Sequence, residues 1–349
     1  MFKKTIATLL AASMMLSLTA CGGAKAPASN GGGAAPSKAD TIKIHFSHTQ
    51  APNSVSDMAA NKFKEIVGQK SEGRIQVEVY TNCGLSGGDL TKALEMVTAG
   101  DIDIHAAAPT NAANFDQRFY IFWMPFLFPT IDSLLNVCAD PEVYKTVDGW
   151  SGEMNMKLLG IHNAGARQIS NSKKEIKTPD DLKGLNVRVP GANLFIDCYR
   201  DSFGANPTAM DFSEVYTALQ QKTIDAQENP VSVFSSSKFE EVQQYVTLWD
   251  YVRDTTAWFM NKDKLASLSA EDQKLILDSA TEALDWANNY VTENEGQIIA
   301  ELETKGVKIT RLTAEEQQAF AEKTKPLYEK YAGIIGQDVI DLFNKVAKG

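Results

Sequence analysis

Serine, histidine, cysteine and arginine all occur in this chain in settings where each could do chemistry. The string Gly84-Leu85-Ser86-Gly87-Gly88 is a literal G-x-S-x-G. It lies between a segment with strand periodicity and one with helix periodicity, as a nucleophile elbow requires. A hydrolase of that type also needs a histidine after its acid, late in the chain. The histidines are His45, His48, His105 and His162, so nothing after residue 162 of 349 supplies that base. A serine hydroxyl without a base is a weak nucleophile, and the string reads better as a glycine-rich turn that lets the backbone approach a ligand. His45 and His48 suggest a metal pair, but on a strand they point to opposite faces. Cys83, Cys138 and Cys198 are odd in number and cannot all pair within the chain. Their spacing is not that of a zinc site. No phosphate loop or catalytic carboxylate dyad stands out, and no cofactor is expected.

Arginine is more informative. Leu185, Val187 and Val189 alternate with Asn186 and Arg188, which is strand periodicity. Pro190 then stops the strand, because proline cannot donate to the ladder. A guanidinium at a strand end, beside a loop, can present a planar donor fork to a carboxylate. A surface ion pair is the other reading of a lone arginine. Downstream run Ala205-Asn206-Pro207-Thr208-Ala209-Met210-Asp211-Phe212-Ser213-Glu214-Val215-Tyr216 and then Ile224-Asp225-Ala226-Gln227-Glu228-Asn229-Pro230.

Three strings carry a resemblance: Gly184-Leu185-Asn186-Val187-Arg188-Val189-Pro190, Phe212-Ser213-Glu214-Val215-Tyr216 and Asp225-Ala226-Gln227-Glu228-Asn229-Pro230. In this order, at this spacing, they resemble the solute-binding proteins of tripartite ATP-independent periplasmic (TRAP) transporters. The likeness extends more loosely from about residue 42 to the C-terminus. It implies an α/β fold of the two-domain periplasmic-binding-protein kind (type II-like), with an interdomain cleft, a hinge and a long helix spanning both domains. Domain I would comprise residues 41–163 plus 254–294, and domain II residues 164–253 plus 295–349. The implied function is not catalytic: a monomeric receptor captures a small organic acid by its carboxylate and delivers it to the TRAP permease. By the same resemblance Arg188 would pair with the carboxylate and Asn229 would bond to it, although asparagine before proline is also ordinary turn chemistry. Arg167 would be a second cleft arginine and Phe212 an apolar wall. Asp89 and the stretch Ala108 to Asn111 would face the ligand from the other domain, and His48 would sit at the cleft. For Asp89 a helix N-cap is the stronger reading, and for His48 a structural role is the alternative.

The chain departs from the pattern in two places. Ala108 stands where sialic-acid-type members carry an acidic residue. Trp249-Asp250-Tyr251 stands where many members have a polar or histidine-containing segment, so Trp249 and Tyr251 either stack on a ligand ring or pack in the core. The acid itself stays open among sugar acids, C4 dicarboxylates, keto acids and aromatic acids. Two other readings compete. One is a receptor serving a signalling partner, and the other is a secreted serine hydrolase using Ser86, which a serine-reactive probe separates.

Composition narrows the classes. The chain has 349 residues, enough for two ordinary domains. Its net charge is −10, and loss of residues 1–20 with Lys3 and Lys4 leaves 32 basic against 44 acidic residues, or −12. Nucleic acid is therefore not the expected partner, since phosphate binding needs a basic face. Lys3 and Lys4, the apolar run Thr5 to Thr19, and Ala20 form an export signal. Leu18-Thr19-Ala20-Cys21 looks like a bacterial lipobox, which implies cleavage before Cys21 and a lipid on it. A plain secretory signal is the other reading. Residues 21–40, rich in Gly, Ala, Ser and Pro, read as a flexible tether. The expected location is extracytoplasmic, with lipid as the only membrane contact, since no later stretch approaches about 20 apolar residues.

The elements that must position these residues are legible in outline. A βαβαβ opening is expected, with strands at 41–47, 75–79 and 102–106 and helices capped by Ser54 and Asp89. It implies a parallel sheet with right-handed crossovers. One or two helices fill Ile131 to Met156, and a strand covers Lys157 to His162. A helix from about Ala192 to Phe203 follows the Arg188 strand. Two helical tracts close the chain, one from Ser269 to about Lys305 and one from Thr313 that Pro326 interrupts.

Overall fold

The computed structural model describes residues 41–348, so the expected signal segment, Cys21 and the tether lie outside it. The opening follows its local signals. Strand β1 (Ile42–His48) leads to the helix Val55–Lys70, where the Ser54 side chain accepts the Asp57 N–H. Strand β2 (Ile75–Tyr80) leads to the helix Leu90–Ala99, capped by Asp89 and stopped by Gly100 at φ 87°. Strand β3 (Ile104–Ala107) completes the unit, and β1 pairs parallel with both β2 and β3. Helices Ile131–Ala139 and Pro141–Glu153 then cross to β4.

Strand β4 (Met156–Asn171) runs well past His162 and carries Arg167 within it. Register shifts between Leu158 and Gly160, Asn163 and Gly165, and Arg167 and Ile169 break its alternation. Each bulge inserts a residue and re-aims the side chains beyond it, so period-2 patterning shows only the first stretch. Gly165 sits at φ 99°, and a Cβ there would come within 3.2 Å of Pro230. Four short strands and one long one follow: β5 (Asn186–Val189), β6 (Asn206–Ala209), β7 (Ala226–Pro230), β8 (Tyr245–Asn261) and β9 (Lys308–Arg311).

The nine strands of the described residues form one sheet in the order β2-β1-β3-β8-β4-β7-β5-β6, with β9 also on β8. The long antiparallel strands β4 and β8 are common to both ends. At one end β3 pairs with the Ala257–Met260 part of β8. At the other, β7 pairs with Arg167–Asn171 of β4 and β9 with Tyr245–Leu248 of β8. The single sheet thus has two ends joined through the β4–β8 pair.

The helix Ala270–Thr304 spans about 52 Å at 1.5 Å per residue. Its Ile276, Ala280, Ala283 and Ala287 bury against the core of the first sheet end, with Phe46, Phe63 and Trp258. Leu302 buries against Val215, Phe234 and Val246 at the second end. The last tract differs from expectation. Pro326 lies inside a continuous helix, Ala314–Ile335, and the break falls at Gly336 before the helix Gln337–Lys348. Gly336 takes φ 98°, which glycine reaches without the Cβ penalty. Buried Leu327 and Tyr331 hold the turns after Pro326 against the aromatic core, which outweighs one lost hydrogen bond.

Candidate functional site

A cavity of about 50 Å³ opens where the two sheet ends meet. Thr49 and Gln50 after β1, Leu90 at a helix start, and Ala108 and Asn111 after β3 form part of its lining. Arg167, Arg188, Pro190, Phe212, Asn229 and Val233 form another part, and Trp123, Asp254 and Thr256 complete it. Of the residues expected at a site, Arg188, Arg167, Asn229, Phe212 and Asn111 are therefore brought together.

Arg188 is buried, at 1% exposure. Val187 and Val189 pin its strand into the core. Its Nε and Nη2 donate to the Met210 carbonyl at 3.0 and 2.7 Å, and the guanidinium lies 5.8 Å from the Phe212 ring centroid. A guanidinium has five N–H donors. Met210 occupies the edge formed by Nε and Nη2, so the fork formed by Nη1 and Nη2 is left for another acceptor. No carboxylate among the described residues forms an ion pair with it. Burial lowers its pKa to about 10, with Glu228 partly offsetting and Arg167 adding to the fall.

Arg167 is also buried but is fully engaged. Its Nε and Nη2 donate to Glu228 Oε2 and Oε1 at 2.5 and 2.6 Å, and Nη1 donates to Asp254. Nη2 also reaches the Glu228 carbonyl at 2.8 Å and Asn229 Oδ1 at 3.2 Å. Trp123 lies under the guanidinium at 4.8 Å and donates its Nε1–H to Asp254 at 2.6 Å. Burial alone would lower the Arg167 pKa, but the charges of Glu228 and Asp254 outweigh it and hold the pKa well above the ordinary value. The two arginines thus divide the work. Arg167 ties β4, β7 and β8 together, and Arg188 keeps a free charge.

Other expected residues lie off the cavity. His48 is fully buried and sits 3.3 Å from Asp57 Oδ1, while its Nδ1 accepts the Gln50 N–H. It shapes the turn that presents Thr49 and Gln50. Asp89 caps its helix by accepting the Lys92 N–H at 2.8 Å, and its neighbour Leu90 is what reaches the cavity. Trp249 is fully buried among Tyr199, Phe203 and Phe320, so the core reading holds for it. Tyr251 packs at a tilt against Trp249 and donates its hydroxyl to Glu228 at 2.5 Å, behind the Arg167 ion pairs. The Ser86 hydroxyl is within reach of the carbonyls of Cys83 and Asp89 at 3.0 and 2.7 Å. Its glycine-rich turn approaches Ser213 rather than the cavity: a Cβ on Gly88 would stand 2.8 Å from Ser213 Oγ.

Sequence reasoning missed Glu228, Asp254 and Trp123 as parts of the site. Glu228 lies in the Asp225-to-Pro230 stretch, and an acid two residues before Pro230 on a buried strand demands a cation. Asp254 and Trp123 carried no such local signal, because β8 and the aromatic segment reach the site only through the tertiary fold.

Two buried histidines, His105 and His162, should make the fold less stable in acid. Burial lowers the pKa of His105 to about 3, with His48 contributing, and that of His162 to about 4. The unfolded chain titrates them near 6.5. Between these values the unfolded state binds more protons than the folded state, so stability rises with pH and is lost as pH falls below about 6.5. Each histidine contributes a slope of up to about 1.4 kcal/mol per pH unit. Urea unfolding at pH 7 and pH 5 should show this loss, and replacing both with glutamine should flatten it. An unchanged slope in the double variant would contradict the assignment.

Residues 46–333 match the family described as bacterial extracellular solute-binding protein, family 7. The chain is 29% identical over 310 residues to the 2,3-diketo-L-gulonate-binding periplasmic protein YiaO of Escherichia coli K12, covering 86% of this chain and 87% of that one. It is 31% identical over 309 residues to the C4-dicarboxylate-binding periplasmic protein DctP of Vibrio cholerae, covering 86% and 89%. Among solved structures, a TRAP periplasmic solute-binding protein from Ralstonia eutropha H16 with bound (S)-2-acetolactate superposes with a TM-score of 0.84 at 29% identity, covering 88% and 98%.

Proposed function

The chain belongs to family 7 of the bacterial extracellular solute-binding proteins, the solute receptors of TRAP transporters, and on that premise we propose that Arg188 captures an organic acid by its carboxylate in the cavity between the two sheet ends. One observation carries the reading. A buried guanidinium with a free two-nitrogen fork and no counter-ion is costly, and a carboxylate meets both its charge and its geometry. Asn229, whose Nδ2 donates to Gln227 Oε1 at 2.6 Å, is held beside it and keeps one N–H for the same carboxylate. Phe212 covers the guanidinium and lowers the local dielectric, which strengthens the pair. The relatives named above bind a sugar-derived acid, a C4 dicarboxylate and acetolactate, so a carboxylate is the group their ligands share.

The loaded receptor passes its acid to a membrane permease, and lipid on Cys21 would keep it near that partner. Two lobes, residues 41–163 plus 254–294 and residues 164–253 plus 295–349, hinge about the β4–β8 waist. The register shift between Asn163 and Gly165 falls at this boundary, which supports the division. Closure should lower the radius of gyration on ligand addition. Unchanged X-ray scattering with ligand bound would sink the hinge.

A thermal-shift screen of residues 41–349 against organic acids and their amides tests the function. A ligand at 100 times its Kd adds about 2.7 kcal/mol, a rise of roughly 3–8 °C for a protein of this size. A shift with an acid that its amide does not give supports the reading. Equal shifts with acid and amide would refute it.

A further inference from the structure

We infer that the cavity selects monocarboxylates whose far end is uncharged and hydrogen-bonding, and rejects dicarboxylates, because Arg188 is its one cation without a carboxylate partner among the described residues while Asp254 stands on the same lining. The inference rests on the carboxylate reading above and narrows it to a ligand class.

The charge count is short. Arg167 and Arg188 are the cationic side chains on the lining, and Asp254 is the acidic one. Arg167 is consumed by Glu228 and Asp254. The first carboxylate takes the free fork of Arg188, and a second finds no cation left. The buried histidines of β1, β3 and β4 stay neutral above pH 7, since burial depresses all three. The rest of the lining explains what the far end meets. Gln50 lines it with a neutral amide side chain. A second carboxylate, acceptor-only when ionised, meets no charged donor there. Asp254 adds negative charge to the same effect. Thr49, Asn111 and Thr256 supply neutral groups, and Leu90 and Ala108 leave no second ionic contact.

Matched pairs test this. Titration calorimetry at pH 7.5 would compare succinate with 4-hydroxybutanoate, malate with 2,4-dihydroxybutanoate, and 2-oxoglutarate with 5-hydroxy-2-oxopentanoate. At least one hydroxy monoacid should bind about 10-fold or more tightly than its dicarboxylate partner, as a like-charge contact predicts. In Gln50→Lys, which adds a cation to the wall, that preference should shrink or invert; Asn111→Lys serves as the second variant if the first does not fold. A dicarboxylate that binds as tightly as its partner, and is lost in Arg188→Met, would overturn this selectivity while leaving carboxylate capture standing. If no member of any pair binds, both readings fall.

Discussion

Arg188→Met should weaken binding of the organic acid by about 100-fold or more, while the ligand-free protein unfolds at the wild-type temperature or above it. Truncating one partner of a buried, hydrogen-bonded charge pair costs about 2–5 kcal/mol of affinity. Stability behaves differently, because the guanidinium has no ion-pair partner among the described residues. Burial lowers its pKa to about 10, which corresponds to about 3 kcal/mol of disfavoured charge. Methionine removes that penalty, fills similar volume and packs against Phe212. Against this, the Met210 carbonyl loses both its donors, which costs about 1–3 kcal/mol. The terms nearly cancel, with the balance on the side of the variant. Calorimetric titration and thermal unfolding of the same preparation check both halves. A variant that unfolds far below wild type would show that Arg188 serves the fold.

Arg167→Met should do the opposite and destabilise the protein by about 3–5 kcal/mol, since it strands two buried carboxylates. Glu228 is fully buried, and Asp254 is 5% exposed. Asp254 keeps donors from Trp123 Nε1 and the Thr255 N–H, whereas Glu228 keeps only the Tyr251 hydroxyl. The loss therefore falls mainly on Glu228. Adding Glu228→Gln to Arg167→Met should recover part of it, because the orphaned charge is gone. Chemical denaturation of the single and double variants measures the coupling. A double variant less stable than the single one would refute the role given to this ion-pair network.

Why one arginine could be placed from sequence and the other only in part follows from where their partners lie. Arg188 sits in a short strand with clean alternation, closed by Pro190, so its place at a strand end was readable within one segment, whereas Phe212 came only from the resemblance and Met210 from neither. Arg167 lies beyond two bulges in β4, and its partners come from β7, β8 and the aromatic segment. No local pattern connects residue 167 to residues 123, 228 and 254. The same contrast governs the fold. Helix caps at Ser54, Asp89, Ser269 and Thr313 act through neighbours in sequence and were legible. The length of β8 and its pairing with β3, β4 and β9 depend on long-range partners and were not. Trp249 and Tyr251 show the limit from the other side: aromatic side chains suit a pocket wall and a core equally, and only packing decides.

The most direct test of carboxylate capture is the crystal structure of the protein with the tightest-binding acid from the screen. The account predicts the carboxylate on the Nη1 and Nη2 fork of Arg188, within bonding distance of Asn229, with Arg167 still paired to Glu228 and Asp254. A carboxylate bound elsewhere, or Arg188 left without an anion in the loaded protein, would contradict it.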